Sequence, residues 1–151
     1  MRLHNIAGLV LMLSTGPALA YDCTLSATPL NFGSVEGVAG QTRQSTATLT
    51  VVCHSGDTSA NVNYQILIDG QGSGAERQMT VGDHNTGYQV YTSGSYQQVW
   101  NNTGSGMVND SYSLAANDTV SRTYTVYAKM KTARKDPPGT YLANLTVQLV
   151  Y

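Results

Sequence analysis

Thr46-Ala47-Thr48-Leu49-Thr50-Val51-Val52-Cys53 decides the fold. Ala47, Leu49, Val51 and Cys53 fall on one side of an extended chain, and Thr46, Thr48 and Thr50 on the other. A period of two with one apolar side is the signature of a half-buried β-strand, and it points Cys53 inward. The pattern recurs outward from this stretch. Val62, Tyr64, Ile66 and Ile68 form an inward set against Asn63, Gln65 and Asp69. Gly-rich residues 70–74 turn the chain. Shorter strands are predicted at 78–81, 88–92 and 98–100, with a turn cluster at 101–106. Val120, Tyr124, Val126, Ala128 and Met130 alternate along one long strand, with Arg122 the exception near its start. Pro137-Pro138-Gly139 closes a sheet-breaking stretch. A last strand is predicted over 140–151, with Ala143, Leu145, Val147, Leu149 and Tyr151 on one face and Leu142, Asn144, Thr146, Gln148 and Val150 on the other. Roughly seven or eight short strands with Gly-rich punctuation and no helical period predict an all-β chain folded as a β-sandwich.

Composition agrees with this expectation. Charged residues make up 11% of the 151, against about 25% in ordinary domains, too few to clothe the outer faces of amphipathic helices. Thr and Tyr favour strands, and Ser, Asn and the 15 glycines favour turns. The formal net charge is -1 and no basic stripe is present, so nucleic acid is not expected as a partner.

The first 20 residues read as a removable export signal. Arg2 lies in a short basic head, residues 6–13 form a compact apolar run, and Ala18-Leu19-Ala20 supplies the small-x-small cleavage pattern. The apolar run falls well short of the ~20 residues that cross a bilayer, so no stable membrane insertion is expected. Cleavage after Ala20 gives a mature domain over 21–151, a length suited to one domain. It begins at Tyr21 and Asp22, directly before the first cysteine.

Cys23 and Cys53 are the only cysteines. In an exported chain a single pair most simply forms one disulfide, here tying the first mature strand to the next. Two free buried thiols fit the oxidising compartment poorly, and two cysteines alone fall short of a zinc site.

Together these segments resemble the spore coat protein U family, which includes subunits of archaic chaperone–usher pili. The resemblance runs through Cys23-Thr24-Leu25-Ser26 and Asn31-Phe32-Gly33-Ser34-Val35 to the Thr-rich strand ending at Cys53. It continues through Tyr64-Gln65-Ile66-Leu67-Ile68-Asp69-Gly70, Gly87-Tyr88-Gln89-Val90-Tyr91 and Trp100. It ends with Pro138-Gly139-Thr140-Tyr141 and Thr146-Val147-Gln148-Leu149-Val150-Tyr151. It covers nearly the whole mature chain, and the order and spacing of the segments carry it rather than any one motif. It implies an immunoglobulin-like sandwich missing its last strand, with a groove beside the C-terminal strand lined by Ala143, Leu145, Val147, Leu149 and Tyr151. It further implies a periplasmic chaperone that fills the groove first, an usher, and other pilus subunits whose N-terminal donor strands then replace the chaperone's. Such strand addition takes its affinity from backbone bonds and its specificity from alternate side chains. The implied location is the periplasm, then the cell surface or the extracellular space.

One feature departs from a polymerising subunit. A donor extension would lie between the signal and Cys23, where only Tyr21 and Asp22 stand. Two residues at ~3.4 Å each cannot fill a groove that takes about ten. The chain is therefore expected to accept a strand without giving one, at a fibre tip. The alternatives are a surface-binding adhesin module and a secreted coat protein that does not polymerise.

Catalytic readings find little support, and neither an enzyme nor a cofactor is expected. His54 and His84 both flank turn residues, and neither a His-Glu-x-x-His pair nor a Gly-x-Ser-x-Gly elbow occurs. Gly70-x-Gly72-x-x-Ala75 imitates a dinucleotide turn but precedes no helical pattern, so a hairpin loop is expected. Asp69 and Glu76 lack the dense run of ligands that calcium needs, and no metal is expected. Tyr88, Tyr91, Tyr96, Trp100 and Tyr112 crowd the middle third, as core and cross-strand packing or, in an adhesin, as a contact patch.

Overall fold

A computed structural model describes residues 3–7, 20–36, 39–69, 77–133 and 136–151. In chain order its strands are β1 (Leu3–Ala7), β2 (Tyr21–Ala27), β3 (Leu30–Val35), β4 (Thr42–Ser55), β5 (Ala60–Ile68), β6 (Arg77–Val81), β7 (His84–Tyr91), β8 (Val108–Leu114), β9 (Thr119–Lys131), β10 (Gly139–Ala143) and β11 (Thr146–Val150). A single 3-10 turn at Gly104–Gly106 is the only helical element among the described residues. The strands form one sheet in the order β2-β4-β9-β7-β6, a second in the order β1-β11-β5-β8, and a two-stranded ribbon of β3 and β10, all antiparallel.

The alternation read from the sequence sets the core. Ala47, Leu49, Val51 and Cys53 of β4 are buried, and so are Val126, Ala128 and Met130 of β9, which pairs with it from Thr42↔Lys131 to His54↔Thr119. Val62, Tyr64, Ile66 and Ile68 of β5 face them from the second sheet. The result is an all-β sandwich with one continuous apolar interior. Cys23 stands directly opposite Cys53 and is bonded to it. Because β3 intervenes in the chain, the bridge joins neighbours within one sheet, β2 and β4, rather than two consecutive strands.

Four segments differ from the sequence expectation, each for a physical reason. The strand expected over 140–151 is two strands: β10 pairs with β3, and β11 pairs with β5. The apolar alternation runs through the step at Asn144 and Leu145 because both halves face the same interior, so hydropathy gives no sign of the change of sheet. Residues 98–100 form only an isolated bridge, Tyr91↔Val99. Strand β8 escaped the periodicity reading because its inward positions include Asp110 and Tyr112 rather than aliphatic residues. Finally, Leu3–Ala7, inside the expected leader, is paired as a strand on β11. The expected turn at 70–74, the Gly70-x-Gly72-x-x-Ala75 stretch and Glu76 lie outside the described residues.

Candidate functional site: the β11 edge and its surroundings

Strand β11 lies between β5 and β1. The Asp69 amide donates to the Thr146 carbonyl at 2.9 Å. In an antiparallel strand the N–H and C=O of one residue point the same way and alternate along the chain. The main-chain groups of Thr146, Gln148 and Val150 therefore face β5, and those of Val147 and Leu149 face β1. Their side chains do the reverse of a surface strand's. Val147 and Leu149 are fully buried, and Leu145, Ala143 and Tyr151 nearly so. All five residues expected to line a groove thus face the interior, but Ala143 belongs to β10 and Leu145 to the crossing. Only Val147 and Leu149 are on the strand that bears β1, with Tyr151 directly after it.

β1 runs antiparallel along this edge, pairing Leu3↔Val150, Asn5↔Gln148 and Ala7↔Thr146 at its start, middle and end. At its C-terminal end β11 runs out while β5 continues. There the Tyr21 hydroxyl takes over, donating to the Asn63 carbonyl at 3.2 Å and accepting from the Asn63 amide at 3.3 Å. The Tyr21 ring leans on Tyr151 with centroids 5.7 Å apart, and the Tyr151 hydroxyl donates to the Cys23 carbonyl at 3.3 Å. Tyr21 and Tyr151 thus meet beside the disulfide.

The opposite side of β5 is completed without a strand. Beyond Ile66↔Val108, where β8 ends, the Ile68 amide donates to the Asn101 carbonyl at 3.3 Å and the Trp100 indole donates to the Ile66 carbonyl at 3.0 Å. Arg77, buried on β6 of the other sheet, sends its guanidinium across to the carbonyls of Trp100 (2.8 Å), Ile68 (3.2 Å) and Asp69, and its Nε to Gln89 (3.2 Å). Burial lowers the Arg77 pKa, against the opposing influence of Tyr88 and Asp69. Sequence reading passed over Arg77, since a lone arginine between a Gly-rich loop and a strand carries no periodic signal.

At the β8 edge a polar cluster links the two sheets. Asp110 receives Arg122 Nη1 on both oxygens, at 2.9 and 2.8 Å, and the Tyr124 hydroxyl; Tyr124 and Tyr64 also share a hydrogen bond. Burial opposes ionisation of Asp110, but the hydrogen bonds from Tyr124 and Arg122 outweigh it and hold the carboxyl below its ordinary range. Burial first, then the contact with Tyr124, pushes the Tyr64 phenol far up; burial and Asp110 do the same to Tyr124. Arg122, the exception in the β9 alternation, is explained by this partner, and its guanidinium also lies 4.1 Å from the Tyr112 ring centroid.

The remaining sequence candidates divide. Tyr88 and Trp100 are core residues. Tyr91 and Tyr96 pack edge to face, 5.3 Å apart, with Lys129 above both rings. His54 and His84 are exposed, and His54 Nδ1 bonds Thr119 Oγ1 at 2.7 Å. Asp69 Oδ2 accepts from Gln148 at 2.9 Å. Among the described residues no three His, Cys, Asp or Glu side chains cluster as metal ligands, and no helix is long and apolar enough to cross a membrane.

The Spore Coat Protein U domain matches the chain over residues 9–148. The chain belongs to the Spore Coat Protein U family. That family is one of pilus and coat subunits found at the cell surface. None of the curated proteins matches the chain.

Proposed function

We propose that the processed chain is an exported, non-enzymatic pilus or coat subunit whose sandwich is completed by a strand supplied from outside along β11. One observation carries this reading: the antiparallel strand laid on β11 comes from Leu3–Ala7, inside the expected leader. Removal of the leader after Ala20 would leave the main-chain groups of Val147 and Leu149 without β1. Their side chains would still belong to the core. An exposed edge on an apolar strand is an aggregation site unless another chain covers it. In the periplasm a chaperone strand would cover it first, and a neighbouring subunit's donor strand, delivered through an usher, would then take its place.

The same cleavage supports an acceptor-only role. Tyr21 already pairs with Ser55, so β2 is committed to its own sheet from the first mature residue. No free segment then remains to donate, which suits a tip position.

Co-expression with its chaperone and isolation from the periplasm tests the reading. The expected result is a one-to-one complex containing a chain that starts at Tyr21. Recovery of the processed chain as a stable, cooperatively unfolding free monomer that ignores the chaperone would overturn it.

A further inference from the structure

The outer face of β5 and β8 carries a strip of uncharged polar side chains in register. Asn61, Asn63 and Gln65 project outward between the buried Val62, Tyr64 and Ile66. Opposite them stand Ser113, Ser111 and Asn109, through the pairs Asn61↔Ser113, Asn63↔Ser111 and Gln65↔Asn109. The strip lies over two depressions of ≈ 660 and ≈ 280 Å³, which share Asn63 and Ser111.

Two features set this strip apart from an ordinary solvated strand face. First, β8 is the outer strand of its sheet, and such strands commonly carry charged side chains, lysine above all, to discourage pairing. Here no charge points outward: the one acidic residue of β8, Asp110, is turned inward to Arg122 and Tyr124. Second, the side chains of Asn63, Gln65, Asn109 and Ser111 make no hydrogen bond among the described residues, although Asn61 Oδ1 and Ser113 Oγ do bond each other at 3.0 Å. A set of three carboxamides or hydroxyls on each strand, ~6.8 Å apart along the chain and ~4.8 Å across, offers donors and acceptors in a flat grid. Tyr21 stands beside its middle, its hydroxyl held by the Asn63 backbone.

We infer that this strip is a binding site for a neutral saccharide chain. Sugar hydroxyls both donate and accept, as amides and hydroxyls do, and half-buried Tyr21 borders the larger depression. With no cation on the strip, sulfated or carboxylated glycans gain nothing there. The inference does not rest on strand acceptance, because the strip's side chains all belong to β5 and β8; the larger depression also touches Val150 and Tyr151, at the end of β11.

Calorimetric titration of the processed protein, in its chaperone-bound or assembled form, tests it with soluble cello-, malto- and N-acetylchito-oligosaccharides, and with heparin oligosaccharide as the charged comparison. At least one neutral probe should bind saturably and shift the side-chain amide resonances of Asn63, Gln65 and Asn109. The near-isosteric Asn63→Asp and Gln65→Glu should each weaken that binding about tenfold or more. Should either fail to fold, Asn109→Ala and Ser111→Ala, which remove exposed and unbonded side chains, must weaken it instead. Thr46→Asp, on the outer face of the other sheet, should leave it unchanged. Failure of every neutral probe, binding that survives the strip variants, or heparin binding as tight as the neutral probes' would each overturn the assignment.

Discussion

Arg77 does at one side chain what a strand would do with a row of amides. It crosses from the first sheet to the second and binds the carbonyls of Ile68 and Asp69, at the end of β5 that β8 does not reach, together with that of Trp100. Replacing it with Leu keeps the bulk and orphans those acceptors. With about 1–3 kcal/mol at stake for each of the three buried groups left unpaired, a loss of about 3 kcal/mol or more is expected in urea unfolding. Arg77→Lys should recover only part of it, because an ammonium lacks the planar fork that reaches several acceptors. Asp110 gives the second residue-scale prediction. Its folded pKa lies below the unfolded value near about 3.9, so its contribution is present above that pH and disappears as pH falls through the folded pKa. Asp110→Asn should therefore destabilise the chain at neutral pH and flatten the acid limb of a plot of Tm against pH. Tyr64 and Tyr124 act with the opposite sign. Their folded pKa values are raised, so their stabilising effect is full below about pH 10 and is lost as the unfolded phenols ionise above it. The part of the phenolate absorbance that Tyr64→Phe and Tyr124→Phe remove should accordingly rise in step with unfolding rather than before it.

Among the elements, β11 and the β2–β4 pair carry the most. Val147→Asp or Leu149→Asp puts a charge at a fully buried position and should prevent folding or cost several kcal/mol. Since both side chains face the core, that outcome reports on the sandwich more than on its edge. Val147→Pro separates the two, because the lost N–H is the one facing β1 while the bonds to β5 are made by its neighbours. The variant should retain the β5–β11 ladder and lose uptake of an external strand, with Gln148→Ala taking it up normally. Reducing the Cys23–Cys53 bridge, which spans 30 positions, should cost roughly 3–4 kcal/mol by chain-entropy reasoning, measured as a shift in the urea midpoint under dithiothreitol. These elements also show how far the sequence could be read. Strands β4, β5 and β9 were legible because burial on one face imposes a period of two on aliphatic residues. β8 was not, since its inward Asp110 is stabilised by Arg122 and Tyr124, which are distant in sequence. The division of 140–151 into β10 and β11 was hidden for another reason: a strand that changes sheets without changing its buried face keeps its hydropathy pattern. Val147 and Leu149 were legible as members of an apolar face, but not that their backbone groups are the ones turned toward β1. That depends on register with β5, which local composition does not encode.

For the whole molecule the decisive comparison is between the unprocessed and processed chains. The full chain holds β1 against β11, and the proposed cleavage after Ala20 would remove it. At about 1 kcal/mol for each net backbone hydrogen bond, loss of the outward bonds of Val147 and Leu149 should lower stability by roughly 2–4 kcal/mol, less whatever ordering β1 requires. The processed chain alone should therefore melt earlier and aggregate more readily, and a chaperone or donor strand should reverse both effects. Equal melting and equal solubility of the two forms would show that the β11 edge needs no cover. The acceptor-only role has its own test, through the other end of the mature chain. Tyr21 enters β2 at once and is further fixed by Asn63 and Tyr151, so a donor cannot be drawn from it without unpairing β2 from β4. The processed protein should not form fibres by itself at any concentration at which it stays folded. A donor segment of about ten residues grafted before Tyr21 spans about 34 Å when extended, enough to run the length of a neighbour's edge. The grafted protein should then form strand-exchanged fibres, visible by electron microscopy and resistant to dissociation. Fibres from the ungrafted chain would mean that it does donate a strand, and that its place in the assembly is not confined to the tip.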